Sequence, residues 1–139
     1  MQLDVHLDAV VDAALRLARP AVQALGSVAL VRGTPAPGGW IEADALLLEQ
    51  ALLCVILNGA EAANSRVEVV VEGQEVVITD DGPGFTPPTE AGQTSKPKGM
   101  GVGLSLARLI VEEAGGRLEV GPGAVGARVR LVFSGGVDG

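Results

Sequence analysis

The sequence predicts a two-layer α/β sandwich, three helices laid on one face of a β-sheet, and three observations carry that expectation. Apolar residues make up 47% of the 139 positions but aromatics only 2%, so the core must be built from Val, Leu, Ile and Ala, which suits helices layered on a sheet. Segments with helical spacing of apolar residues alternate with short alternating or β-branched runs. Two pairs of such runs are separated by short glycine-containing links, the mark of local hairpins. The length fits one domain over residues 1–139, with a frayed tail from about residue 134.

Taken in order, residues 2–7 alternate polar and apolar and predict a strand, with Asp8 as the cap of the helix that follows. Val11, Leu15, Ala18, Val22 and Leu25 recur at helical spacing up to Gly26, with a kink expected at Pro20. Residues 28–32 predict a second strand, residues 33–39 a loop, and residues 40–42 a short extended piece. Asp44 is placed to cap a second helix over residues 45 to about 63, so apolar that it should lie buried against the sheet. Residues 66–72 and 75–80 predict strands joined by Gly73-Gln74 as a tight hairpin. Residues 104–114 predict a third helix with Arg108 and Glu112 paired on its outer face and Gly115-Gly116 closing it. Residues 117–120 and 127–133 predict the final hairpin.

Charge and composition narrow the function. A net charge of −7, with ten basic residues scattered among seventeen acids, opposes binding to a phosphate backbone, so nucleic acid is not an expected partner. The lone Cys54 has no intrachain disulfide partner and reads as a small buried hydrophobe. No apolar run reaches the ~18 residues of a membrane span, and the N-terminal residues lack a basic-then-apolar signal pattern. A cytoplasmic location without membrane contact is expected.

The chemistry concentrates in residues 76–104, VVITDDGPGFTPPTEAGQTSKPKGMGVGL. Strand alternation puts Asp80 on the side of Val76 and Ile78, and an acid at the buried end of an apolar face needs a partner. Gly82 and Gly84 allow close approach beside it. Gly99, Gly101 and Gly103 lead into a helix start at Leu104, where free amides suit phosphate, and the only two lysines, Lys96 and Lys98, stand just before them. An acceptor for a base followed by cations and amides suits a nucleotide. The glycine spacing is not that of the dinucleotide fingerprint, because leucines occupy positions 104 and 106, and no P-loop Gly-Lys-Ser/Thr occurs. In the second helix Asn58 interrupts the stripe of Ala51, Cys54, Val55 and Ala62; a buried asparagine there must be hydrogen-bonded or metal-bound. Gly59 beside it suggests crowding of the helix backbone. His6, the only histidine, reads as structural.

These residues resemble the ATP-binding catalytic domain of bacterial sensor histidine kinases, within the Bergerat-fold (GHKL) superfamily that also holds Hsp90, type II topoisomerases and MutL. Residues 53–63, LCVILNGAEAA, are similar to the family's N box. Asp80-Asp81-Gly82-Pro83-Gly84 matches its first glycine box, and Thr94-Ser95-Lys96 with Gly99, Gly101, Gly103 and Leu104 resembles the end of the lid and the second glycine box. IVEEAGGRLEV is close to the usual continuation. The resemblance implies a mixed sheet backed by three helices, with Asp80 accepting the adenine amino group and Gly82 and Gly84 letting the base lie close. It further implies Asn58 on Mg²⁺, amides from Gly99 to Leu104 on the phosphates, Lys96 near the triphosphate, and ATP and Mg²⁺ as cofactors. Departures are Cys54 where kinases often carry asparagine and ATPases a glutamate base, a short lid over residues 85–98 without the phenylalanine motif, and Ala127 where threonine is common near the base.

No phosphorylatable histidine followed by an acid stands on a dimerisation helix here, and His6-Leu7-Asp8 is not that motif. The resemblance therefore implies a partner: a histidine-bearing dimerisation or phosphotransfer domain, in the same parent protein or a separate chain, and through it a response regulator. Two alternatives stand beside this reading: an anti-sigma-factor-like serine kinase and binding protein of the same fold, and a nucleotide-binding module without transfer activity.

Overall fold

The computed structural model describes residues 3–33, 38–83, 100–123 and 125–133. Seven strands and three helices follow the order β1 (Leu3–His6), α1 (Leu7–Leu25), β2 (Ala29–Arg32), β3 (Trp40–Ala43), α2 (Ala45–Ala62), β4 (Arg66–Glu72), β5 (Glu75–Asp80), α3 (Met100–Glu113), β6 (Arg117–Pro122) and β7 (Ala127–Val132). Five strands form one mixed sheet in the order β2-β4-β5-β7-β6, and β1 and β3 pair antiparallel as a separate ribbon. Only β2 and β4 run parallel; α2 lies in the crossover between them, as a parallel connection requires. The β4–β5 hairpin turns through Gly73 at φ 57°, with Glu72 opposite Glu75, in the register expected from the loop length.

Strand alternation decides which face the helices cover. Val67, Val69 and Val71 of β4, Val76 and Ile78 of β5, and Val129 and Leu131 of β7 are buried on that face. The intervening positions carry Arg130, which donates to Glu75 at 2.8 Å and lies 3.5 Å from Glu119 across two strand pairings. No polar or charged residue is buried among the described residues.

The α2 helix is the centre of the helical layer. Asp44 Oδ1 accepts from the amides of Leu46 (3.1 Å) and Leu47 (3.2 Å), the expected N-cap. Leu48, Ala51, Leu52, Val55, Ile56, Gly59 and Ala60 form its buried stripe, which packs among α1, α3, β4 and β5. Against the expectation that no apolar run does so, α2 alone among the described residues reaches the length and mean hydropathy of a membrane span; its buried stripe packs in the core.

Two local readings are corrected. Asp8 does not cap α1: the helix starts at Leu7 with His6 at the N-cap and no side-chain cap bond. Asp8 instead accepts from Arg32 Nη2 at 2.7 Å and from the Gly38 amide at 3.0 Å, a charge-assisted pairing between elements that outcompetes a local cap. Pro20 lies inside α1, which runs on to Leu25. The second correction concerns Gly59, which is not crowded: a β-carbon there would meet Val67 and Ile78 methyls at 3.7–3.9 Å, ordinary contact distances. Gly59→Ala is therefore expected to stabilise the fold by about 0.5–1 kcal/mol, because helical alanine is favoured over glycine and the methyl has room. A Tm rise of about 2–4 °C in thermal unfolding would match that figure, and a lower Tm would show hidden crowding.

Candidate functional site

The site is built where the central strand β5 ends against the C-terminal half of α2. Asp80, the last residue of β5, is half-buried. Its Oδ1 accepts from the Gly82 amide at 2.8 Å and lies 3.5 Å from the Ala127 amide of β7. Its Oδ2 takes no hydrogen bond from any described residue. The arrangement spends one carboxylate oxygen on the backbone and leaves the other as an acceptor.

Gly82 has a close neighbour within the fold. A β-carbon at position 82 would fall 2.2 Å from the Ala62 carbonyl oxygen, so among the described residues the glycine serves contact between the strand end and α2.

Asp81 clasps the same junction. Its Oδ1 accepts from the amides of Asn64 (2.9 Å), Ser65 (2.9 Å) and Arg66 (3.0 Å), and its Oδ2 from the Ser65 hydroxyl at 2.5 Å. In return Asn64 Nδ2 donates to the Asp81 carbonyl at 2.9 Å. The Ser65 hydroxyl, followed by the backbone amides, holds the Asp81 carboxyl far below its ordinary value of 3.8. The sign follows: a folded-state pKa below the unfolded one favours folding of the charged form. That contribution is fully present above about pH 4 and is lost as pH falls through the ordinary value toward the folded one. Asp81→Asn should therefore lower the urea midpoint at neutral pH and flatten its decline on acidification. Parallel acid limbs in parent and variant would remove Asp81 as the cause.

Asn58 stands one helical turn before Ala62. It is half-buried, off the fully buried stripe, which corrects the expectation of a buried asparagine: the 48, 51, 52, 55, 56, 59 and 60 set faces the core and rotates Asn58 and Cys54 onto the helix flank. Its side-chain amide makes no hydrogen bond with any described residue. No cluster of three His, Cys, Asp or Glu that could hold a metal occurs among the described residues. A hard cation at Asn58 would then draw most of its ligands from phosphate and water, which suits Mg²⁺ bound with a nucleotide. Cys54 is half-buried, and desolvation pushes its thiol pKa up.

The second glycine run begins the helix instead of preceding it. α3 starts at Met100, so Gly101 and Gly103 lie in its first turn, and Leu104 is half-buried against the core. The glycines hid this turn because they carry no apolar periodicity. Gly115, at φ 83°, closes the C-terminal end as expected, and Arg108 and Glu112 are both exposed. Gly84, Lys96, Gly99, the rest of the expected lid and the 134–139 tail lie outside the described residues.

Two participants escaped the sequence reading. Asp81 was visible as the second acid of Asp80-Asp81, but its role depends on the 64–66 turn fifteen residues away. Gly126 was one more glycine in a glycine-rich hairpin. It is buried, and a β-carbon there would lie 2.2 Å from the Asp80 carbonyl oxygen and 2.6 Å from its Oδ1.

A mixed sheet backed by three helices, with an oriented acid at a strand end and an asparagine on the flank of the adjacent helix, suits a nucleotide-binding domain. The profile of the family described as "Histidine kinase-, DNA gyrase B-, and HSP90-like ATPase" matches residues 43–135, and the chain belongs to this family. It is an ATP-binding domain of the histidine-kinase type.

Among its relatives, the C4-dicarboxylate transport sensor protein DctB of Pseudomonas aeruginosa is 31% identical over 98% of this chain and 25% of its own length. DctS of Rhodobacter capsulatus is 36% identical over 66% of this chain and 16% of its own. A putative NtrY-like sensor histidine kinase of Rickettsia conorii is 34% identical over 55% of this chain and 15% of its own. The chain thus spans a quarter or less of the length of these relatives. Among solved structures, the mycobacterial sensor histidine kinase MprB superposes with a TM-score of 0.75 at 28% identity, covering 96% of this chain and 97% of that one.

Proposed function

We propose that this chain binds Mg-ATP and passes the γ-phosphate to a histidine on a separate dimerisation or phosphotransfer domain, from which a response regulator is served. The observation that carries the reading is the Asp80 carboxylate at the end of the central strand, with one oxygen held by the Gly82 amide at 2.8 Å and the other unclaimed among the described residues. A fixed acceptor of that kind suits the exocyclic amino group of adenine. Gly101, Gly103 and Leu104 supply early helix amides for the phosphates, and Lys96 and Gly99 are assigned with them from the motif. Gly84 is assigned to the base on the same ground. Asn58 would hold the Mg²⁺ that, when bound, neutralises charge on the phosphates.

The acceptor histidine is supplied from elsewhere. His6 belongs to the two-stranded ribbon, packs edge-on against Trp40 at 5.0 Å and lies 3.7 Å from Asp8, a structural setting. The relatives are several times longer than this chain, which leaves ample length for such a domain. The whole of residues 1–139 is read as one catalytic domain, and a cytoplasmic location is the reading that goes with ATP as its ligand.

The test is transfer of labelled phosphate from ATP to a purified dimerisation domain of a relative. Label should appear on that domain's histidine, be lost in acid and survive alkali. Acid-stable label on a serine of a partner would favour the anti-sigma-like alternative, and label on His6 would overturn the claim that the acceptor lies outside. Asn58→Ala should lose Mg²⁺ enhancement of ATP affinity while retaining much of the metal-free affinity, since the side chain acts through the cation and not the base. Equal Mg²⁺ dependence in parent and variant returns Asn58 to a structural role.

A further inference from the structure

We propose that the turn between β6 and β7 is a clamp that sets the orientation of the Asp80 carboxylate, with Gly126 as its positioning residue. The inference rests on the reading of Asp80 as the adenine acceptor. Thr79 and Arg128 form the last β5–β7 pair, so the next residues, Asp80 and Ala127, face each other just beyond the ladder. The turn is closed by a 2.8 Å bond from the Gly123 amide to the Gly126 carbonyl. It presses Gly126 onto the Asp80–Gly82 corner so closely that a β-carbon would sit 2.2 Å from the Asp80 carbonyl oxygen, 2.6 Å from Oδ1 and 2.7 Å from the Gly82 nitrogen.

Two of those three neighbours are backbone atoms, which do not swing aside as a flexible side chain does. Alanine at 126 must therefore push the turn away from β5 or twist the Asp80–Gly82 corner. Either movement lengthens the 3.5 Å approach of the Ala127 amide and disturbs the 2.8 Å bond from Gly82. The carboxylate would then rotate between orientations, and the alignment of its free Oδ2 would be lost. Gly121 in the same hairpin has nothing within 4 Å of a would-be β-carbon and a permissive backbone, so it is the matched control.

ATP and magnesium tripolyphosphate, which lacks a base, are titrated calorimetrically into the parent, Gly126→Ala, Gly121→Ala and Asp80→Ala. Gly126→Ala should weaken ATP by about tenfold, of the order of losing one charged hydrogen bond, and narrow the preference for ATP over GTP. Its tripolyphosphate affinity and all Gly121→Ala affinities should match the parent. Unchanged ATP affinity in folded Gly126→Ala, or equal weakening of ATP and tripolyphosphate, overturns the clamp. If Asp80→Ala itself leaves ATP affinity unchanged, the adenine assignment fails instead, whatever Gly126→Ala does. A nucleotide-free readout decides the clamp even if Gly126→Ala does not fold. In the parent background, Asp80→Asn should shift both the Gly82 and Ala127 amide resonances, and an Ala127 amide that stays still refutes it.

Discussion

Asp80→Ala is expected to weaken ATP binding by about 10- to 100-fold, the equivalent of about 1.5–3 kcal/mol for a hydrogen bond to a charged acceptor. The side chain sits at the end of the central strand with Oδ1 occupied by the Gly82 amide and Oδ2 unclaimed among the described residues. Removing it leaves the amino group of a bound base desolvated without a partner, while the backbone of β5 keeps its ladder partners in β4 and β7. The loss should therefore appear as affinity and not as unfolding. GTP presents an oxygen where ATP presents an amino donor, so the parent should prefer ATP and the variant should lose much of that preference. Calorimetric titration checks both, and equal affinities in parent and variant would end the adenine assignment.

Leu52→Ala is expected to cost about 2–5 kcal/mol of folding stability, the range for truncating a fully buried leucine. Leu52 is 0% exposed in the middle of the α2 stripe. Against a typical total of about 5–15 kcal/mol, that loss should move the urea midpoint far down while leaving the m-value unchanged. The folded fraction should still bind ATP with near-parental affinity, because Leu52 faces the core and Asn58 the flank of the same helix. The opposite sign expected for Gly59→Ala, seven residues on, makes the pair a test of the packing argument. A small effect of Leu52→Ala would mean that α2 is held mainly by its ends, through the Asp44 cap and the Asp81 clasp.

What the sequence determined by itself was whatever depends on neighbours close along the chain. The Asp44 cap, the Gly73-Gln74 hairpin, the glycine stops after α1 and α3 and the alternation of β4 and β5 are local chemistry, and each stands where it was expected. The Asp80 and Asn58 motifs were legible for the same reason, since their residue types and spacings are written in short segments of chain. Tertiary structure alone decided what each of these residues faces. Asp8 left its expected cap because Arg32, 24 residues away, offered a guanidinium. Asp81 became a clasp because the 64–66 turn presented three amides and a hydroxyl to it. Gly82 and Gly126 are required by an α2 carbonyl and by the Asp80 corner, neighbours that no short window contains. The first turn of α3 escaped because glycine carries no hydrophobic signal. The division follows from range: hydrogen bonds and periodicity within a few residues are fixed by the local sequence, whereas close approach between elements is set only when burial of the aliphatic faces brings the layers together.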